Sequence, residues 1–200
     1  MERFTKAVRA AIAQQNWYGA LALALTLPDI CGRLEDPSVK SKPRYKRWWD
    51  KYVAIRYTCP YVDEVAVRSL LSSGDAKGLR DHIFHQQATR PLLSSNDAYA
   101  LRCAYLHQGG DVIEGQRVRD MVNRFHVITP PQSGSCHSNM FKILNPEGAD
   151  STLEVQVDRL CNDICDGVEK WEVEVKGNAE VKARMGSLMV IHDSSGGVFF

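Results

Sequence analysis

No stretch of this sequence is apolar for long enough to cross a bilayer. The longest largely apolar run, Trp17 to Leu27, falls short of the ~20 residues a spanning helix needs, so no membrane partner is expected. The first residues, Met1-Glu2-Arg3-Phe4-Thr5-Lys6, lack the apolar core and small-residue cleavage site of a secretory signal. Six cysteines are scattered without the paired short spacing of a disulfide framework, and they read as reduced thiols in a cytoplasmic protein. Charge imbalance is missing too: at a formal +1 the molecule has no overall field to attract a polyanion, so any such site must be a local cluster. A Gly-rich phosphate loop, Gly-x-Ser-x-Gly and His-Glu-x-x-His are all absent, which leaves nucleotide hydrolases and zinc proteases without support.

What is present reads as one globular, mainly α-helical domain over 1–200. Hydrophobic residues make up 44% and charged residues 24% of the 200 positions, close to ordinary globular usage. Phe4, Val8 and Ile12 recur at helical spacing, and Asn16 caps a second helix from Trp17 toward Glu35, in which Pro28 is a candidate kink. Further helices are expected over 44–52, 62–71 and 76–87. Ser94 or Ser95 then starts one that runs to His107 or Gln108 and stops at Gly109-Gly110. These form a helical bundle over 1–110. Residues 121–128 and 139–144 read as strands, predicting a small β-hairpin within 121–144. Leu153, Val157, Leu160, Ile164, Val168, Trp171 and Val175 predict a long amphipathic helix over about 152–176, followed by a loose tail at 193–200.

One spacing carries chemistry. Arg102 and His107 stand five residues apart at a helix end. A guanidinium holds a phosphate through paired hydrogen bonds, and an imidazole moves protons near neutral pH. In a regular helix, five steps set them ~140° apart, so either the helix loosens or the site is shared between two chains. With fifteen Arg and six His, chance alone supplies about 0.45 such pairs. Arg80 and His85 are in fact a second pair, and Asp81 gives them a polar follower. The later pair is preferred because its helix has a cap, a regular apolar face and a Gly stop. The plain alternative is a salt bridge for Arg102 and a C-capping role for His107.

Arg-x4-His at the end of a helix, in a helical domain of this size, resembles the HEPN superfamily. That resemblance implies a helical bundle that forms a homodimer, placing both copies of the motif in one cleft, and metal-independent RNA cleavage without a cofactor. Arg102 would neutralise the scissile phosphate and His107 would act as general acid or base. The substrate's own 2′-hydroxyl would attack, so DNA would be spared. A role as a toxin or antiviral defence component follows, with an antitoxin or host protein as a further partner. Cys103 departs from the polar residue that usually follows the Arg in active members. It favours the alternative of a non-catalytic module of the same fold that binds RNA, a nucleotide or a protein. A third reading is a phage or mobile-element protein whose hairpin and last helix dock onto a host factor.

Two other groups of residues invite a chemical reading. Lys42, Arg44, Lys46, Arg47 and Lys51, interleaved with Trp48, combine phosphate neutralisers with rings on which unpaired RNA bases stack. The simpler reading is an amphipathic helix with Trp48 and Tyr52 in the core and its cations in water. Cys161, Cys165, Cys136 and His137 can be drawn as a zinc site, but both helical cysteines fall on the apolar stripe, so no metal is expected.

Overall fold

The computed structural model describes residues 1–60, 64–84, 89–109, 124–130, 137–138 and 152–192. Its framework is a helical bundle. Helix α1 (Glu2–Ala13) turns at Gln15 into α2 (Trp17–Glu35), whose first turn is capped by the Asn16 side-chain oxygen accepting from Gly19 N–H at 3.0 Å. Pro28 removes one backbone bond, yet α2 continues through it. Ala24, Leu25, Leu27 and Pro28 itself are buried there, so packing holds the turn together.

Helix α3 (Ser41–Tyr52) begins three residues before the expected start. Its Pro43 sits in the first turn, where no intrahelical N–H bond is lost. A 3-10 turn (Ala54–Tyr57) leads to strand β1 (Thr58–Pro60), then α4 (Glu64–Ser73) and α5 (Ala76–Phe84). Strand β2 (Thr89–Pro91) pairs antiparallel with β1, a two-stranded ribbon without a hydrophobic pattern to announce it. Helix α6 (Ser95–Cys103) starts from Ser94, whose hydroxyl accepts from Asp97 N–H at 3.1 Å. Instead of ending, it widens into a π turn over Ala104–Gln108 and stops at Gly109, which adopts φ +65°.

The strand expected at 121–128 is present, and its described partner is a strand later in the chain. Strand β3 (Arg124–Ile128) pairs in parallel with β5 (Thr152–Gln156), and β4 (His137–Ser138) lines the other side of β5. A parallel pair needs a long crossover, and the segment between β3 and β5 supplies one. The second predicted hairpin arm, 139–144, lies outside the described residues.

The long helix also starts later than expected, because 152–156 is strand and α7 spans Val157–Val175. Leu153 and Val155 point inward while Glu154 between them is only half-buried, an alternation that belongs to a strand. A short helix α8 (Ala179–Gly186) follows, capped by Asn178. The core lies between α1, α2, α3, α6 and α7, where Trp48, Trp49, Trp171, Tyr45 and Leu25 are fully buried. Gly167 lets α7 approach α3, since a Cβ there would stand 3.0 Å from the Trp48 ring. Among the described residues no helix is long and apolar enough to cross a membrane.

Candidate functional site

Helix α6 presents two faces, and each builds a different environment. On the α3 side, Arg102 reaches Asp29 of α2, Nη2 to Oδ2 at 3.5 Å, and its guanidinium carbon lies 5.7 Å from the Tyr99 ring centre. Asp29 is shared. Arg44 Nε donates to its Oδ1 at 2.7 Å and the Ser41 hydroxyl donates to the same oxygen at 2.9 Å. Burial acts to raise the Asp29 carboxyl, but the hydrogen bonds from Arg44 and Ser41 and the charges of both guanidiniums outweigh it and hold the carboxyl below its ordinary value. The structure thus brings together Arg102 and Arg44, residues of two separate candidate groups. With 15% of its side chain exposed, Arg102 is largely withdrawn from solvent.

His107 has the opposite fate. It is exposed in the π turn and makes no hydrogen bond or ion pair with any described residue. The loosening that a shared face requires is nevertheless present. In a π turn the hydrogen bond joins residues five apart, so His107 is rotated toward the line of Arg102 relative to a regular helix. In the second pair, Arg80 is exposed near the end of α5, and His85 lies outside the described residues.

The basic helix resolves into separate roles. Trp48 is buried against Tyr52, ring centres 5.1 Å apart, so base stacking on Trp48 is ruled out by its burial. Arg44 is committed to Asp29 and to the Val39 carbonyl, and Lys51 pairs with Glu174. Lys42 and Lys46 are half-buried and Arg47 is exposed. Cys161 and Cys165 are core thiols that burial pushes upward, Cys165 to about 12. Cys136 and the side chain of His137 lie outside the described residues, among which no cluster of metal-ligating side chains occurs.

The other face of α6 borders a groove of about 360 Å³ that no sequence motif announced. Trp17 and Tyr18 open one wall, Leu101, Tyr105 and Gly109 form the second, and the consecutive residues Phe125 to Thr129 form the third. Side chains on a strand alternate between faces, so a cleft that meets five residues in a row runs along the strand's edge. Among the described residues, strand β3 is the end strand of its sheet. At the rim, His126 Nδ1 lies 3.1 Å from Glu154 Oε2, a cross-strand pair in register. The Tyr105 hydroxyl donates to the Tyr18 carbonyl at 3.0 Å, tying two walls together. The sequence signal was the strand pattern around Phe125, which marks the element but not the space beside it. The chain matches no protein-family model, no curated protein and no solved structure.

Proposed function

We propose that this protein is a non-catalytic helical binding module that receives an extended apolar segment of a partner protein in the groove along β3. The observation that carries this reading is the groove itself. Its walls are aromatic and aliphatic, its volume lies within the range of about 300–1,000 Å³ common for ligand sites, and it follows β3, which among the described residues is the end strand of its sheet. Strand addition supplies affinity through main-chain hydrogen bonds and specificity through alternate side chains. The withdrawal of Arg102 onto Asp29 agrees with a structural use of that cation.

Selection of displayed random peptides against the purified chain tests it. Enriched peptides are expected to alternate aromatic or aliphatic residues with polar ones, and to bind about tenfold more weakly to Val127→Arg, which places a charge at the groove without touching the core. Selection that yields no binder, or binders indifferent to Val127→Arg, rejects the reading.

The π turn favours a second reading, the HEPN-type metal-independent endoribonuclease, because it turns His107 toward Arg102. A homodimer with the two motifs in one cleft would then cut single-stranded RNA in EDTA, leave a 2′,3′-cyclic phosphate and lose activity in His107→Ala. A monomer in sedimentation, or an uncut RNA, removes this reading and leaves the module.

A further inference from the structure

Among the described residues nine large apolar side chains are exposed, and five of them fall in two places. Tyr18, 80% exposed, and Val127, 36% exposed, stand on the walls of the groove. Met189, Val190 and Ile191 follow one another shortly after α8, with Met189 85% and Ile191 93% exposed. This short segment belongs to no helix or strand, and its backbone makes no hydrogen bond among the described residues. Val and Ile favour strands. Extended, the segment sets Met189 and Ile191 on one side and Val190 on the other, the alternation by which an added strand fills apolar pockets. Charge does not oppose the fit, since Leu188 to Ile191 bears none and His126 on the groove wall is matched by Glu154.

The segment cannot reach the groove of its own chain. Helix α8 is fastened to the last turn of α2, where Arg184 donates through Nε to the Leu34 carbonyl at 2.6 Å and through Nη2 to the Glu35 carbonyl at 3.1 Å. The Leu188 carbonyl is held in turn by Arg3 Nη2 at 3.2 Å, at the start of α1. The groove begins at Trp17 and Tyr18, the other end of α2, and the helix from Tyr18 to Leu34 spans ~24 Å. Three residues beyond Leu188 cover at most ~11 Å. Groove and segment therefore lie at opposite ends of the bundle, and two copies set side by side in opposite directions can join them twice.

We propose that the groove along β3 takes the segment Leu188–His192 of a second copy of this chain, reciprocally, in a two-fold dimer. The inference rests on the reading of the groove as a receptor for an extended apolar segment, and it names this chain as the donor. The size of the contact sets its strength. Twelve residues line the groove and the segment supplies five, somewhat fewer than the about 20–30 residues a side of a standard stable interface. The dimer is therefore a weak one that dissociates at micromolar concentration, and it leaves the groove open to competing segments on dilution.

Sedimentation of the full chain from about 1 to 200 μM tests it. The unaltered chain is expected to pass from monomer to dimer across that range, and Val127→Arg and Ile191→Asp are each expected to weaken the dimer at least about tenfold with the circular dichroism spectrum unchanged. A labelled peptide of residues 187–192 is expected to bind the Ile191→Asp chain, and to bind a chain carrying both substitutions at least about tenfold more weakly. A chain that stays monomeric or grows past the dimer, a dimer that survives either substitution, or a peptide indifferent to Val127→Arg overturns the proposal. Should Val127→Arg fail to fold, Ile191→Asp, at a side chain 93% exposed, decides alone. Library peptides that bind the groove while residues 187–192 do not would remove this donor and leave the groove reading standing.

Discussion

Asp29 is the residue on which the polar interior of the bundle turns, because one carboxylate serves two guanidiniums from different helices. Its carboxyl is held below the ordinary value, so the stability it contributes is fully present above the unfolded value of about 3.9 and is lost as pH falls through the lower folded value. Asp29→Asn is therefore expected to lower the urea midpoint at pH 7 and to flatten the fall in stability below about pH 4. An acid limb identical to that of the unaltered chain would assign the effect to other carboxylates. At this scale the sequence was half legible. It marked Arg102 and Arg44 as cations with work to do, but Asp29 is 15 residues from Arg44 and 73 from Arg102, and no local pattern records such a meeting.

The elements were legible where their signals were local. Asn16, Ser94 and Gly109 each stand where a cap or stop belongs, and each performs it. Gly109 adopts φ +65° with open space around its Cβ position, so the cost of a side chain there is backbone strain alone. Gly109→Ala is expected to lose about 1 kcal/mol in denaturant unfolding and Gly109→Asn clearly less, since Asn tolerates the left-handed region. Equal losses would show that the π turn, and not the backbone angle, sets the cost. The strand at 152–156 was illegible because Leu153 and Val157 are four apart and satisfy a helical period, while the alternation that betrays a strand is only five residues long. The parallel pairing of β3 with β5 depends on a long-range partner. Strand signals in β3 give its type and cannot name its neighbour.

At the scale of the molecule, α7 completes the bundle by packing on α1, α2 and α3. Trp171 anchors it, fully buried and donating through its indole N–H to Glu35 at 2.8 Å. Trp171→Ala is expected to cost about 3–5 kcal/mol, and the loss should appear in one cooperative transition seen alike by fluorescence and circular dichroism. Two separated transitions would mean that α7 docks as an independent unit. By itself the sequence determined a helical bundle, its caps and stops, and the burial of Trp48 and Tyr52 on an amphipathic helix, because each follows from spacing within a single segment. Only the tertiary structure decided that Arg102 turns inward to Asp29, that β3 lies beside β5, and that a groove opens between α2, the π turn and the strand edge. Those are relations between segments far apart in the chain, where shape and charge must fit together before any of them exists.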